Sequence, residues 1–293
     1  MGKVATRPYP EGTLRRIQAA ELEMLKEFDR ICRSEGLTYF LDAGTCLGAV
    51  RHGGFIPWDD DTDVGMPIAD YRRFVEVAPD LLPAHMRLAT LENTRGFSAL
   101  CAKVTIADTR FLDEGAIQAD CDQALFLDVF PYIPMRGTEE EIRRRLFHME
   151  CWQKVSYLRH IGSANIPEGT PNRAPLALAC EVAHRILAPT TTDEFVRAHH
   201  EALFPTYETA DVWANPCAAH PFPFPAEVLF DPVECPFEDA TVFCPHDANR
   251  YLELLYGDYM RLPPPEKRST HTPVVLDFGD GINAMATVRH SRW

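Results

Sequence analysis

Four carboxylates crowd into five positions of an otherwise apolar segment: Phe55–Met66 reads FIPWDDDTDVGM and carries Asp59, Asp60, Asp61 and Asp63. Any fold this chain adopts must dispose of that charge. Alternate side chains of an extended strand share a face. Asp59, Asp61 and Asp63 are therefore expected to point one way, and Asp60 and Thr62 the other. Carboxylates two residues apart repel each other, and burying them unpaired is costly; a divalent cation is the usual compensation. Hard oxygen donors suit Mg2+, with Mn2+ as an alternative. A solvated acidic turn is the competing reading, and the segment alone does not separate the two.

A second acid raises the same question. ALFLDVFPYI, residues 124–133, reads as an apolar strand with one charge, Asp128, in its middle. A lone Asp in such a run is expected to be paired or metal-bound, against the alternative of a strand-end cap before Pro131. Upstream, LTYFLDAG (37–44) reads as a strand and TCLGAVRH (45–52) as a short helix with Thr45 near its N-cap. Gly44–Thr45 thus sits at a strand-to-helix turn, where glycine admits a close phosphate and the helix N-terminus offers free N–H groups. A strand, a Gly-Thr turn, a helix and then a D-x-D strand, with a third carboxylate on a later strand, resembles the nucleotidyltransferase fold.

Elsewhere the pattern mixes helix and strand. Apolar residues from Leu14 to Cys32 recur at helical spacing, so 12–34 reads as an amphipathic helix stopped by Gly36. Further elements are expected at 69–77 (helix), 86–91, 98–106 and, stopping before Pro131, 124–130 (strands). A capping box, Thr138 with Glu141, opens a helix to about residue 160. Helices follow near 174–187, 193–203 and 246–256, and the Pro-rich stretch 205–245 reads as irregular. With no clear linker, the expectation is one α/β (α+β) domain over 1–293. It comprises a mixed-sheet core at 37–135, a helical, loop-rich C-terminal part at 136–272 and a tail at 273–293.

The charge balance narrows the function. Forty-three acidic against 29 basic residues leave a net charge of -14, which argues against a non-specific nucleic-acid binder. No apolar run is long enough to span a bilayer and no secretory signal is visible, so the expectation is a cytoplasmic protein, compatible with a peripheral place at the inner membrane face. Nine cysteines without a C-x-x-C read as reduced, mostly buried thiols. Cys217, His220, Cys235, Cys244 and His246 form a loose cluster in which zinc is weighed against small apolar residues and surface histidines.

Together these stretches resemble one family. YFLDAGTCLGAVRHGGFIPWDDDTDVGM followed by DYRRF is similar to the motif block of LicD-type phosphotransferases, of which fukutin carries a diverged version. AKVTIADTRF (102–111), LDVFPY (127–132) and YLELLYGDYMRLPPPEKR with His271 extend the resemblance to about residues 12–272. Cys46 departs from it, standing where an aliphatic residue is usual. The resemblance implies a nucleotidyltransferase-like fold, Mg2+, and transfer of a phospho-substituent from a CDP-linked donor, CDP-choline foremost, to a hydroxyl of a glycan or lipid-linked glycan, with CMP released. It also implies Asp61 and Asp63 as metal ligands and Asp128 as a further ligand or as base. Lys103 and Arg51 are expected on the diphosphate, against a surface pairing with the many acids. Trp58, with Tyr39, Phe55 and Tyr132 nearby, is a candidate seat for a quaternary ammonium, against the reading of Trp58 as a core anchor. Rival readings are a nucleotidyltransferase releasing pyrophosphate, a CDP-ribitol or CDP-glycerol phosphotransferase, and a non-catalytic glycan- or nucleotide-binding module.

Overall fold

A computed structural model describes residues 9–287 apart from 165, 167–169, 219–220, 266–267, 269 and 272. The elements in chain order are α1 (Thr13–Glu35), β1 (Phe40–Leu41), α2 (Ala43–His52), β2 (Asp63–Pro67), α3 (Ile68–Leu81), β3 (Met86–Ala89) and β4 (Ala102–Ile106). Then come β5 (Arg110–Leu112), α4 (Glu114–Gln118), β6 (Phe126–Met135), α5 (Glu139–His160), α6 (Arg173–Thr190) and α7 (Asp193–Glu201). The last are β7 (Val212–Ala214), β8 (Pro223–Pro225), α8 (Ala226–Leu229), β9 (Val233–Phe237), β10 (Ala240–Cys244), α9 (Ala248–Tyr256) and β11 (Val275–Asp277). The architecture is α+β.

The seven-stranded mixed sheet runs β1-β2-β6-β4-β3, with β7 and β8 added beside β6. Only the β2–β6 pair is parallel among these ladders. Its register sets Asp63 opposite Asp128, and the antiparallel β4–β6 register sets Lys103 opposite Asp128 on the other side. Three charged residues therefore meet in one row across the sheet before any side-chain contact is considered. Helix α1 buries Ile17, Met24, Leu25, Phe28, Ile31 and Cys32, the face its periodicity predicts, and ends at Gly36 in the left-handed conformation that glycine adopts without strain.

Three expectations change. Strand β6 does not stop before Pro131 but runs through Pro131 and Pro134 to Met135. At Pro131 it has β2 alone as neighbour, and at Pro134 β7 alone. A residue without an N–H is tolerated where one side of the strand is unpaired. The Pro-rich stretch 205–245 is also more regular than expected, holding β7, β8, α8 and the β9–β10 hairpin. That hairpin overturns the reading of uniformly reduced thiols, because Cys235 and Cys244 are joined in a disulfide across it. The pairing also removes two of the candidate zinc ligands. Cys217 lies apart against the Leu100 carbonyl at 3.1 Å, His246 is bonded to the Asp231 carbonyl, and His220 lies outside the described residues. Among those residues no helix is long and apolar enough to cross a membrane.

Candidate active site

The acidic segment is a loop that becomes strand only at Asp63, yet the expected alternation of faces holds. Asp60 and Thr62 are fully buried on one side, while Asp59, Asp61 and Asp63 are half-buried on the other. Each inward residue has a specific partner. The Asp60 carboxylate accepts hydrogen bonds from the Tyr9 hydroxyl and from the His271 backbone N–H at 2.9 Å. The Thr62 hydroxyl donates to Glu21 at 3.3 Å. Gln18 on α1 donates to the Asp59 carbonyl at 2.9 Å. The burial of Asp60 thus fixes the loop and aims its alternate residues outward.

The β1–α2 turn clamps the other end. The Asp63 N–H donates to Thr45 Oγ1 at 2.8 Å, and the Asp42 N–H to the Asp63 carbonyl at 2.9 Å. The helix is capped by Asp42, not Thr45. Thr45 is buried in the first turn and spends its hydroxyl on the acidic strand, so its contribution is positioning. Gly44 sits directly beneath the acids, since a Cβ there would lie 3.0 Å from Asp59 Oδ2.

Asp128 and Lys103 form a buried ion pair, Nζ to Oδ1 2.7 Å, with side chains only 13% and 11% exposed. The ammonium also lies 3.5 Å from the centre of the Phe126 ring. This corrects the surface-pairing alternative for Lys103. Burial alone would lower its pKa, but the Asp128 carboxylate and its neighbours outweigh burial and raise it, so the lysine is charged. A cavity of about 310 Å³ opens over the pair, lined also by Cys101, Gln153, Tyr157 and Cys217.

Charge accumulates on the outward face. Burial and the nearby Asp61 charge push Asp59 up to about 8. Burial, then Asp61 and Asp128, hold Asp63 well above the usual carboxylate range. Asp61 is raised by burial and by Asp60 and Asp128, with His271 opposing. Burial would lower His271, but its bond to Asp60 and the charges of Asp61 and Asp60 hold it up at about 10. Several buried carboxylates that each resist ionisation form a donor set that fits a hard divalent cation. Among the described residues the group whose ligand atoms all come within 4.8 Å of one another is Asp60, Asp61 and His271. Asp63 and Asp128 are coupled to Asp61 by charge but stand outside that group. Asp60 is already engaged by Tyr9 and His271, which leaves Asp61 as the less committed acid of the cluster.

Two other expected binding residues are held by the C-terminal part of the chain. Arg51 Nη1 donates to the Tyr259 carbonyl at 2.6 Å. Trp58 is covered by the Arg268 guanidinium, 4.0 Å from the ring centre, so its face is a cation seat that the chain itself fills. The other aromatics expected around a quaternary ammonium are core residues. Tyr39, Phe55 and Tyr132 are 1%, 7% and 1% exposed. Tyr132 donates to Asp42 at 2.9 Å, and the Tyr251 hydroxyl donates to the same carboxylate.

Sequence reasoning passed over Asp42, Glu21, Tyr9 and Tyr251. Asp42 carried the same signal as Asp128, a lone acid in the apolar run YFLDAG. The others had none, because their partners lie 41 to 209 positions away.

The chain is similar to known proteins. Residues 36–161 match the family model described as LicD/FKTN/FKRP, nucleotidyltransferase domain. The lipopolysaccharide cholinephosphotransferase LicD of Haemophilus influenzae is 26% identical over 273 residues, 88% of this chain and 96% of that protein. The ribitol 5-phosphate transferase FKRP of Homo sapiens is 29% identical over 115 residues, 36% of this chain and 19% of that protein. The matched span contains α2, the acidic loop, Lys103 and Asp128; residues 36–161 accordingly carry a LicD-type domain, and the chain is an enzyme that transfers phosphate-containing groups.

Proposed function

We propose that the enzyme transfers phosphocholine from CDP-choline to a hydroxyl of a cell-surface glycan and releases CMP. The observation that carries the reaction class is the row of Asp63, Asp128 and Lys103 across the sheet, near Asp59 and Asp61 in sequence, with a cavity open over Lys103 and Asp128. Phosphoryl transfer asks a protein for positioning and charge neutralisation more than for covalent chemistry. Lys103 supplies a fixed positive charge for a diphosphate oxygen. Asp128 accepts the proton of the acceptor hydroxyl as the new oxygen–phosphorus bond forms and the bond to the CMP oxygen breaks. Asp61 and Asp63 would hold Mg2+, or Mn2+, which supplies charge neutralisation on the diphosphate. Gly44 leaves room above α2 for the donor, and the nucleotidyltransferase-like character of the core is part of this reading.

The choline assignment is supported by the long match to the Haemophilus relative, not by an aromatic cage, since three of its four expected aromatics are buried. That burial, with the partial match to FKRP, favours a second reading in which the donor carries a polyol phosphate. Donors compete directly: CDP-choline, CDP-ribitol and CDP-glycerol at equal concentration, with Mg2+ and glycan acceptors. CMP released fastest from CDP-choline supports the first reading, and faster release from a polyol donor overturns it. Release of pyrophosphate from a nucleoside triphosphate in place of CMP would overturn both. Asp61→Asn and Asp63→Asn are each expected to abolish CMP release with the fold intact by circular dichroism; turnover near wild type in both removes the site assignment.

A further inference from the structure

The cavity of about 310 Å³ over Lys103 and Asp128 is bounded by the sheet and by residues of α4 and α5. Strand order fixes its place relative to the acids. Strand β6 runs between β2 and β4, so Asp128 has Asp63 on one side and Lys103 on the other. Lys103 and Asp128 line the cavity, whereas Gly44, Asp59, Asp61 and Asp63 do not. The cavity therefore reaches Asp128 from the β4 side, while Asp63 and the loop that runs into it belong to β2. A phosphoryl group in transfer has its attacking and leaving oxygens roughly in line, on opposite sides of phosphorus. With the leaving diphosphate held at Asp61 and Asp63 and with Asp128 as base, both parts of the proposed reaction, the attacking hydroxyl arrives from the cavity.

The lining indicates what kind of molecule carries that hydroxyl. Gln153 on α5 donates its amide N–H groups to the Pro216 and Ala218 carbonyls, the latter at 3.1 Å. Gln123 donates to the Phe111 carbonyl at 3.0 Å. Asp113 caps α4, with Oδ1 accepting from the Ala116 N–H at 2.6 Å. Each of these anchored side chains keeps one oxygen that no donor meets among the described residues: Oε1 of Gln153, Oε1 of Gln123 and Oδ2 of Asp113. Such atoms only accept, so their complement is a ligand that brings O–H or N–H donors. A quaternary ammonium brings none. A phosphate brings acceptors, and negative charge that Asp113 and Asp128 repel. Among the described lining residues the only cation is Lys103, which Asp128 already pairs at 2.7 Å. Phe130 and Tyr157, both half-buried, add ring surface to the lining. Aromatic surface with a few placed polar groups is the usual make-up of a small-molecule site. A sugar ring matches on both counts, with hydroxyls at its rim and C–H groups on its faces.

We propose that this cavity is the acceptor subsite and holds one sugar unit of the glycan, with Asp113, Gln123, Gln153 and Tyr157 setting which sugar is accepted. The proposal rests on the reading of Asp128 as base, and its test measures binding without turnover.

The full chain is titrated by saturation-transfer NMR with the methyl glycosides of glucose, galactose and N-acetylglucosamine, and separately with choline and with CMP. Wild type is expected to bind at least one glycoside. Tyr157→Ala, which keeps helix propensity, is expected to weaken that glycoside by roughly tenfold, ~1.4 kcal/mol. Asp113→Asn keeps the helix cap and exchanges a free acceptor for a donor, and is expected to weaken it in the same direction. CMP affinity and the melting curve are expected to be unchanged in both variants. Absence of glycoside binding by wild type overturns the proposal, as does equal glycoside binding by wild type and both variants. Choline bound in place of the glycosides and lost in Tyr157→Ala assigns the cavity to the transferred group and overturns it, as does loss of CMP binding in a folded variant. Glycoside binding that follows these expectations, with no CMP released from any CDP-linked donor, supports the sugar site and overturns the proposed reaction instead.

Discussion

Removing the Lys103 ammonium isolates the energetic logic of the site. Lys103→Met keeps most of the aliphatic stem that packs beside Phe126 and deletes the charge. The pair is close, 2.7 Å, and nearly dry; at an effective dielectric of about 20 its Coulomb attraction is about 6 kcal/mol. Desolvation of the lysine offsets part of that, and deleting one partner of a buried pair costs about 3–5 kcal/mol because the other charge is left uncompensated. Asp128 is more exposed to this than most acids, since Asp63 stands beside it in the parallel register. The assay is urea unfolding followed by tryptophan fluorescence in EDTA. Lys103→Met should lose about 3–5 kcal/mol, and Lys103→Met with Asp128→Asn should return to within about 1 kcal/mol of wild type, because a neutral pair needs no partner charge. Adding Mg2+ should stabilise Lys103→Met more than wild type if a cation can replace the ammonium. A single variant within about 1 kcal/mol of wild type, or a double variant no better than the single, would refute the reasoning.

Glu21 is held well above its usual pKa by burial and by the charges of Asp61, Asp60 and Asp59. The folded state therefore binds more protons than the unfolded one above the unfolded carboxyl pKa, so stability falls as pH rises from there toward the folded value; Glu21→Gln should flatten that fall in EDTA melts. Gly65→Ala should cost about 1–3 kcal/mol in urea unfolding, because a Cβ there would lie 2.6 Å from the Phe40 ring and 2.7 Å from the Tyr132 ring. Tyr251→Phe leaves the buried Asp42 carboxylate with one bond fewer and should cost about 1–3 kcal/mol by the same measurement.

The candidate acids were legible because charge in an apolar run is conspicuous. The run from Asp59 to Asp63 and the lone Asp128 stood out in the local sequence, the family resemblance picked Asp61 and Asp63 from the run, and the two-residue period placed Asp60 and Thr62 on the opposite face. What each residue does was less legible, because that depends on partners distant in sequence. Lys103 read as a cation for the diphosphate, with a surface pair as the alternative, and neither reading foresaw that the β4–β6 register sets it against Asp128. Thr45 and Arg51 looked like ligand contacts, and the structure gives the first to the Asp63 backbone and the second to Tyr259. Tyr39 and Tyr132 looked like aromatic walls for a cation, yet their rings fill the core. Local patterning reports which residues are costly to bury; it does not report which strand lies next to which.

The bond from His271 to Asp60 spans 211 positions and gives the site a place in time. At about 5–20 residues per second of synthesis, Asp60 emerges about 10–40 s before the backbone N–H that satisfies it. Through that interval the nascent chain can form α1, α2 and the early strands, with Tyr9, Gln18, Glu21 and Thr45 already able to hold the loop, but Asp60 lacks one of its two partners. The cluster therefore takes its final shape only after almost all of the chain is made, and a protein that stops short of His271 carries Asp59, Asp60, Asp61 and Asp63 with the buried Asp60 incompletely satisfied.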